Sequence, residues 1–505
     1  MASRLHAFPG GLALPHHKEV SLGAPLRQCP LPDRIYVPVG QHQGESGEVL
    51  VQAGEEIAAG QPLTASEDDF QVPAHAPCAG VVMGLSRRPA SDPPGSLRRC
   101  IEIRPDGDSI SAPHHKLKGW RDQAPAVIVD HLRNMGLAGM GGAVFPTAAK
   151  LRGPWQGVHT LILNGVECEP WIACDESLMR ARPGDVILGG LILAAAAGAG
   201  KVILAVEDPM VQTAALLRRA AAEAGVEDQI EVVIVPACYP EGGERQLIQT
   251  LTGLEVPQNG LPQDLGLVCH NVATAAAAFD AVERGAPLTE RIVTVTGPGI
   301  AQPGNFITPV GTPAAWLIAQ AGGYTDKAQR LILGGPMSGT ALETDEVIIT
   351  KGSNCLLVLD TPAPDPDRVL PCINCGQCVE VCPASLLPQL LFRAIEGTRY
   401  EQARELALLD CIECGCCAQV CPSQLPLVDY YRHGKGELRL RDLDQRRAAL
   451  ARRRHEARQQ RLAQEQAERE ARRQARAERL REKAGAEDEI KAAIQRARRK
   501  KKSVE

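Results

Sequence analysis

The chain has 505 residues, a formal net charge of −5 and an aromatic content of only 3%. This length exceeds what one hydrophobic core serves, so we expect several domains, and the near-neutral charge gives no general argument for nucleic-acid binding. The longest apolar run, Val186–Val206, is interrupted by glycines and a lysine and falls short of the roughly 20 apolar residues of a membrane span. No signal-peptide pattern opens the chain, so we expect a soluble or peripheral protein.

Residues 1–124 contain short apolar runs separated by turns, a pattern that predicts a small β-rich module. Within it, "VQAGEEIAAGQPLTA" and "APCAGVV" resemble the two halves of a barrel-sandwich domain of the biotinyl or lipoyl type. Such domains carry a prosthetic group on a lysine at a hairpin tip. The intervening segment here, "SEDDFQVPAHAPC", has no lysine, so we expect a packing module without a swinging arm.

Residues 125–290 alternate between apolar strand patterns and helical patterns. The runs "TLILNGVE", "KVILAVED" and "IEVVIVPA" are rich in β-branched residues and fit buried parallel strands. The segment "VQTAALLRRAAAEAG" between the last two has apolar residues at helical spacing. This alternation predicts a Rossmann-like parallel α/β domain within a multidomain α/β protein.

Three further segments follow the α/β domain. Residues 291–360 return to short strands around one helix, which suits a β-grasp-like module of the SLBB type. A cysteine-rich segment, 361–435, is predicted to be a ferredoxin-like domain. Residues 436–505 are rich in Arg, Ala, Glu and Gln, and predict a charged helix that frays into a disordered basic tail. That tail is either simply solvated or rests on anionic lipids.

Nine of the 17 cysteines fall between positions 372 and 421, in "CINCGQCVEVCP" and "CIECGCCAQVCP". Both follow the spacing C-x2-C-x2-C-x3-C-P, in which the fourth cysteine ligates the other of two [4Fe–4S] clusters. Zinc would need two separated C-x2-C knuckles per metal and gives no reason for the third cysteine. The predicted ligands are Cys372, Cys375, Cys378 and Cys421 for one cluster, and Cys411, Cys414, Cys417 and Cys382 for the other. Cys416 departs from the spacing, and we expect a buried bystander that points away from the cluster.

The stretch "NMGLAGMGGAVFPTAAKL" is a glycine-rich turn that leads into a predicted helix. Closely spaced glycines let backbone N–H groups approach an anionic ligand, and Lys150 is placed to add a positive charge. The pattern is neither the G-x-G-x-x-G dinucleotide fingerprint nor a phosphate-binding Walker loop. By itself it predicts an anion site without identifying the ligand.

The stretch "LILNGVECEP" ends a predicted strand with Asn164, Glu167 and Glu169. Ligands of parallel α/β sheets bind outside the carboxyl ends of the strands, so these side chains stand where a site belongs. A solvated polar loop is the alternative interpretation of the same residues.

Four segments, taken together and in order, carry a family resemblance: "GLAGMGGAVFPTAAKL", "NGVECEP", "YPEGGERQLI" and "CHNVATA". They resemble the flavin- and NADH-binding segments of the 51-kDa flavoprotein subunit of respiratory complex I. That subunit has one cluster in a helical bundle and lacks the N-terminal module. The whole order of domains resembles the C subunit of the Rnf (or Rsx) ion-translocating electron transport complex, over essentially residues 1–435.

The resemblance assigns twelve residues to a flavin and NADH site. Those that would hold the FMN phosphate or the NADH pyrophosphate are Gly139, Gly141, Gly142 and Lys150. Those that would hydrogen-bond the flavin ring are Asn164 and Asn271. Those that would line the nicotinamide side are Glu167 and Glu169. Those that would form a loop over the cofactor are Glu241, Gly242, Gly243 and Glu244.

The chain departs from the complex I pattern at three of its positions. Val166 stands where that family has an aspartate, Cys168 where it has a glycine, and Met140 where it has an arginine. These differences bear on how NADH is placed.

The resemblance implies the electron-input subunit of a membrane-bound, ion-translocating oxidoreductase. Electrons would pass between NADH and the other subunits of an Rnf-type complex through FMN and two [4Fe–4S] clusters, with ferredoxin or flavodoxin exchanging electrons through the complex. No catalytic acid or base is implied, and the location implied is peripheral, on the cytoplasmic face of the bacterial inner membrane. The alternatives are the flavoprotein subunit of a soluble NAD-linked hydrogenase or formate dehydrogenase, and an iron–sulfur carrier with a degenerate flavin site.

Overall fold

The computed structural model describes residues 5–42, 44, 46–91, 94–107, 111–112, 115–152, 157–363 and 365–501. Its chain divides into two units, residues 1–432 and 433–505. Within the described ranges, no helix combines the length and the apolar character that a membrane span requires.

A four-stranded parallel sheet forms the centre of the α/β domain. Its strands lie in the spatial order Ile230–Val235, Lys201–Glu207, Thr160–Asn164 and Leu267–Asn271. The three strands predicted from apolar runs are therefore confirmed. The fourth strand, with the sequence "LVCHN", was not among the predicted strands. Because the chain leaves the Thr160–Asn164 strand toward one side and returns on the other, a topological switch point lies between that strand and Leu267–Asn271.

Both faces of the parallel sheet are buried. Leu161 and Leu163 pack with the helices of one face, while Ile162 packs with Leu247 and Ile248 on the other. This two-sided burial explains why the strands are continuous apolar runs without alternation. The α-helices of the domain are Pro125–Asn134, Thr147–Arg152, Cys174–Ala181, Pro183–Ala197, Val211–Glu223, Glu244–Thr252 and Val272–Phe279.

The long apolar run of the sequence is a buried helix followed by a buried strand. The helix Pro183–Ala197 packs tightly on the helix Val272–Phe279. A Cβ atom at Gly189 would lie 1.8 Å from the carbonyl oxygen of Ala275, so only glycine permits this approach. Gly189, one of the glycines that weakened the case for a membrane span, is thus required by helix packing.

The N-terminal module contains a four-stranded antiparallel sheet. In spatial order its strands are Ile35–Pro38, Pro94–Pro105, Gly80–Ser91 and Glu56–Ile57. Ile35, Val37, Ile101 and Ile103 are fully buried in its core. A short helix, Glu19–Leu22, precedes this sheet along the chain.

The third module is a six-stranded mixed sheet with the helix Ala314–Gln320. Its edge strand comes from the N-terminal region, where Arg27–Gln28 pairs in parallel with Phe306 and Ile307. The N-terminal region therefore extends beyond its own sheet. The remaining strands, in spatial order, are Gly304–Pro309, Glu290–Thr296, Cys355–Leu359, Arg330–Leu333 and Thr340–Leu342.

The cysteine-rich segment is built from short helices. They are Gln377–Glu380, Pro388–Glu396, Tyr400–Glu405 and Cys416–Gln419. A helix then runs over Leu427–Lys501, and from residue 451 to residue 500 every side chain is exposed. The predicted charged helix is present, whereas residues 502–505, at the end of the predicted frayed tail, lie outside the described residues.

A buried lysine joins the three folded modules. Lys351, from the mixed-sheet module, is 2% exposed and donates to the carbonyl oxygens of Gly136 (2.7 Å) and Pro73 (3.3 Å). The backbone N–H of Lys351 donates to the side chain of Gln41 (3.1 Å). Burial lowers the pKa of Lys351 to about 7, because an ammonium group is costly away from water.

This lysine predicts a pH-dependent stability. An unfolded chain takes up a proton on Lys351 below about pH 10.4, whereas the folded chain does so only near pH 7. The free energy of unfolding therefore rises with pH between these two values. Below about pH 7 both states bind the proton, so Lys351 adds no further pH dependence. We expect the thermal midpoint of the wild type, measured relative to that of Lys351→Met, to increase by several degrees between pH 7 and about pH 9.5. A constant difference between the two proteins would contradict this expectation.

Candidate functional site

Two asparagines flank the switch point of the parallel sheet. Asn164 ends one strand, and its side-chain amide donates to the carbonyl oxygen of Gly242 (2.8 Å). Asn271 ends the neighbouring strand, accepts from the N–H of Ala273 (2.8 Å) and so caps the helix Val272–Phe279. The amide of Asn271 also donates to Asp175 (2.5 Å). Both predicted flavin-ring residues therefore lie at the same edge of the sheet, each fixed by its neighbours.

The glycine loop lies against this edge. A Cβ atom at Gly141 would stand 3.2 Å from the Cβ of Asn271, and the side-chain hydroxyl of Thr274 accepts from the N–H of Met140 (3.0 Å). Gly139 closes the base of the loop by donating to the carbonyl oxygen of Phe145 (2.8 Å). Gly141 and Gly142 are exposed, which leaves this part of the backbone accessible to a ligand.

The loop that contains Glu241–Glu244 closes the opposite side. The N–H of Gly242 donates to the sulfur of Cys168 (3.2 Å), and a Cβ atom at Gly242 would lie 2.6 Å from the carbonyl oxygen of Val166. Gly243 precedes the helix Glu244–Thr252, and Glu244 forms an ion pair with Lys150 (2.5 Å). Lys150 thus lies close to the Glu241–Glu244 loop, and the carboxylate of Glu244 neutralises its charge.

Glu241, in the same loop, is 2% exposed, and burial raises its pKa to about 7. One of its carboxylate oxygens has no hydrogen-bond partner among the described residues. A buried carboxylate with an oxygen that accepts no hydrogen bond is uncommon in a purely structural position.

The two glutamates of "NGVECEP" are held by backbone amides. Glu167 is 6% exposed and accepts from the N–H groups of Asp175 (2.9 Å) and Glu176 (3.3 Å), at the start of the helix Cys174–Ala181. Burial raises its pKa to about 7. Glu169 accepts from the N–H groups of Met337 (3.2 Å) and Ser338 (2.8 Å), and burial likewise raises its pKa. Their assignment to the nicotinamide side stays a prediction.

The cysteines of the two motifs surround two separate cavities. Gly376 and Gly415, with φ angles of +83° and +79°, turn the chain at equivalent places in the two motifs. The cysteines around the first cavity are Cys372, Cys375, Cys378 and Cys421. Those around the second are Cys382, Cys411, Cys414, Cys416 and Cys417. The fourth cysteine of each motif thus lies at the cavity of the other motif.

The expectation that Cys416 points away from its neighbours needs correction. Cys416 borders the second cavity together with Cys414 and Cys417. It is fully buried, as expected. The spacing argument fails here because Cys416 begins the one-turn helix Cys416–Gln419, whose first residue stays close to Cys414.

The second cavity faces the loops of the parallel sheet. The hydroxyl of Tyr239, three residues before Gly242, donates to the carbonyl oxygen of Cys414 (2.7 Å). A Cβ atom at Gly415 would lie 2.9 Å from the carbonyl oxygen of Met337, the residue whose N–H binds Glu169. At the first cavity, Cys375 is exposed and Ile373 is 66% exposed, so its rim reaches the surface.

Comparison with known proteins matches four domain models to this chain. Residues 6–108 match the RnfC barrel sandwich hybrid domain, and residues 132–280 match the Nuo51 FMN-binding domain. Residues 292–341 match the SLBB domain, and residues 371–425 match a 4Fe-4S dicluster domain.

Several similar proteins are named as the C subunit of an ion-translocating oxidoreductase complex. The protein of Edwardsiella ictaluri is 42% identical over 467 residues, which are 92% of this chain and 58% of that protein. The protein of Pseudomonas aeruginosa is 42% identical, over 92% of this chain and 60% of that protein. The protein of Yersinia pestis is 41% identical, over 91% of this chain and 73% of that protein. This chain belongs to the RnfC family. The resemblance predicted from the sequence motifs is confirmed, and the chain spans about three fifths of the length of the first two relatives.

Among solved structures, an NAD+-reducing [NiFe]-hydrogenase aligns with 58% of this chain and 55% of that chain, at 22% identity. Its TM-score is 0.44, a likeness that carries no argument about this member of the RnfC family.

The residues of this RnfC family member fit the cofactors that its domains imply. Each cavity offers four thiols at the predicted spacing, which is the donor set of a [4Fe–4S] cluster. At the sheet edge, the exposed glycine backbone would provide donors for a phosphate, and the two fixed asparagines would face a flavin ring. FMN and two [4Fe–4S] clusters are therefore the cofactors supported by both the domain matches and the chain.

Three residues at these sites were not anticipated from the sequence: Tyr239, and Lys18 with Glu207, whose ammonium and carboxylate groups lie 3.8 Å apart beside Glu167. Glu207 ends the predicted strand "KVILAVE", so the same rule that singled out Asn164 could have found it. Lys18 lies in "PHHKEV" and Tyr239 in "CYPEGG", where no local pattern indicates a role. Both were missed because their contacts are with residues far away in the chain.

Proposed function

We propose that this chain is the electron-input subunit of a membrane-bound ion-translocating oxidoreductase complex, and thus an oxidoreductase of the translocase class. It would pass electrons between NADH and the other subunits of the complex by way of FMN and two [4Fe–4S] clusters. One observation carries the proposal: the second cysteine cavity is joined directly to the loops of the candidate flavin site, through Tyr239 and Cys414.

The residues at the sheet edge would bind and orient the flavin and the dinucleotide. When bound, FMN supplies the exchange between two-electron hydride chemistry and one-electron transfer. Asn164 and Asn271 would present fixed amide groups to the flavin ring, and the exposed glycine loop would bind phosphate through its backbone. Lys150 would turn from Glu244 to a phosphate group when one is present. Glu167, Glu169 and the loop Glu241–Glu244 would close the site toward the nicotinamide.

The two cysteine sets would hold the clusters in an interlocked pair. The set Cys411, Cys414, Cys417 and Cys382 stands at the flavin-facing end, because Cys414 contacts Tyr239. The set Cys372, Cys375, Cys378 and Cys421 stands at the outward end, because Cys375 is exposed. We assign the outward set to contact with partner subunits.

The finer architecture and the location belong to the same proposal. The strand order of the parallel sheet supports a Rossmann-like domain at 125–290, and the mixed sheet supports a β-grasp-like module at 291–360. The barrel-sandwich module at 1–124, the ferredoxin-like domain at 361–435 and the tail at 436–505 complete the order. The partners would be the other subunits of an Rnf-type complex, with ferredoxin or flavodoxin served through it. The chain would act as a peripheral subunit on the cytoplasmic face of the bacterial inner membrane.

Anaerobic titration with NADH tests this function. We expect the purified chain, reconstituted with FMN and iron–sulfur clusters, to lose both flavin and cluster absorbance when NADH is added. The same chain depleted of FMN should keep clusters that dithionite reduces but that NADH reduces at least about tenfold more slowly. Equal rates with and without FMN would contradict the proposed role of the flavin, and a chain that retains no FMN would contradict the site itself.

A further inference from the structure

The N-terminal segment, residues 5–24, follows the carboxyl edge of the parallel sheet before it enters its own module. Leu12 pairs with Tyr239 through both backbone hydrogen bonds (2.8 Å each). The carbonyl oxygen of His16 accepts from the N–H of Trp171 (2.7 Å), and the ring of His17 stacks on that of Trp171 with 4.5 Å between centroids. These contacts fix the segment next to the loop that carries Glu167.

Lys18, which follows the stacked histidine, is buried in this edge. It is 5% exposed, and its ammonium group donates to the backbone carbonyl oxygen of Glu167. The same group lies 3.8 Å from a carboxylate oxygen of Glu167 and 3.8 Å from one of Glu207. A residue from outside the α/β domain therefore provides a positive charge between the ends of two of its strands.

The carboxylates around Lys18 depend on this charge. Glu207 is 1% exposed, and its second carboxylate oxygen has no hydrogen-bond partner among the described residues. Burial raises the pKa of Glu207, and Lys18 opposes that change. Glu176, which is also buried, is paired with Arg180 instead (2.5 Å). Since buried carboxylates without a counter-charge are strongly destabilising, Lys18 is the group that lets Glu167 and Glu207 stay together.

We propose that Lys18 is a positioning residue of the flavin site, which holds the 164–169 loop in place and makes a bound flavin easier to reduce. The reason is electrostatic: reduction adds negative charge to a flavin, and a fixed positive charge at the sheet edge favours the more negative state. The inference rests on the proposed function, because it assumes that FMN binds beside Asn164. It gives the N-terminal segment a role in the chemistry of a domain to which it does not belong.

Variants of opposite charge separate this electrostatic role from a merely structural one. Lys18→Met removes a positive charge, whereas Glu207→Gln removes a negative charge and keeps the shape of the side chain. Loss of packing alone would disturb the flavin in the same direction in both variants. An electrostatic effect moves the flavin midpoint potential in opposite directions and largely cancels in the double variant.

The experiment measures flavin content and flavin midpoint potential by spectroelectrochemistry on the full chain with its clusters. At a fixed potential we expect the ratio of reduced to oxidised FMN to fall about tenfold in Lys18→Met and to rise in Glu207→Gln. The double variant should return to within about threefold of the wild type. The matched control is Lys201→Met, because Lys201 pairs with Glu231 at the opposite, amino end of a strand of the same sheet.

The outcomes distinguish this inference from the function on which it rests. Wild-type potentials in both single variants, or shifts in the same direction, would overturn the role of Lys18 alone. If Lys18→Met does not fold, the direction of the shift in Glu207→Gln still decides the matter. A wild-type chain that binds no FMN would overturn the proposed function and this inference with it.

Discussion

Replacing Cys421 with alanine is expected to remove the cluster that we assign to Cys372, Cys375 and Cys378. Iron should fall from about eight to about four atoms per chain, although Cys421 belongs to the other motif. The structure gives the reason: Cys421 lies at the cavity of the first motif, and Ser423 binds the carbonyl oxygen of Pro371 (3.0 Å). The end of the second motif is thereby attached to the start of the first.

Pairs of substitutions test this interlocked arrangement against one in which each motif holds its own cluster. Cys421→Ala combined with Cys372→Ala should leave about four iron atoms, because both residues serve the same cluster. Cys421→Ala combined with Cys411→Ala should leave almost none. If each motif held its own cluster, the two results would be exchanged. Total iron, acid-labile sulfide and the visible absorbance of the reconstituted chain are sufficient measurements.

Cys416 provides the matched control for these substitutions. It is fully buried and borders the second cavity, yet it is outside the predicted ligand set. Cys416→Ala should keep about eight iron atoms per chain. A loss of about four atoms would mean that Cys416 replaces one of the predicted ligands, with Cys414 as the first candidate because it lies two residues away at the same cavity.

Local pattern was enough to predict most of what the parallel sheet and the cluster motifs contain. Both faces of the sheet are covered, so each strand is a continuous apolar run that can be recognised by itself: "TLILN", "KVILAVE" and "IEVVIV". The cysteine spacing likewise predicts iron–sulfur clusters from closely spaced residues, although each predicted ligand set takes its fourth cysteine from the other motif. In both cases the residues that indicate the structure are neighbours in the chain.

The contacts made by the N-terminal region could not be predicted in this way. Lys18 meets Glu167 across 149 positions of sequence, and Gln28 pairs with Ile307 in a strand of only two residues. No periodicity extends over such a distance, and a two-residue strand is too short to have a pattern. The domain order could be predicted because it is linear, whereas the crossing of the N-terminal segment over another domain depends on tertiary packing alone.

Replacing Gly242 with alanine is expected to lower the affinity for FMN about tenfold or more, a loss of about 1.4 kcal/mol. The added Cβ atom would stand 2.6 Å from the carbonyl oxygen of Val166 and 3.1 Å from the sulfur of Cys168. The backbone of Val166 cannot yield without separating the two loops. Separation would break the hydrogen bond from Asn164 to Gly242, which fixes one of the two asparagines of the flavin site.

Gly184→Ala is the control for this substitution, because a Cβ atom at Gly184 meets nothing within 4 Å and alanine favours the helix in which it lies. We expect wild-type FMN content in Gly184→Ala, and wild-type iron content in both variants, since the cysteine cavities do not include Gly242. Equilibrium dialysis with FMN measures the FMN content and the affinity for FMN. Unchanged FMN affinity in Gly242→Ala would mean that the contact between the Gly242 and Val166 loops is not part of the flavin site, and that Asn164 holds no flavin.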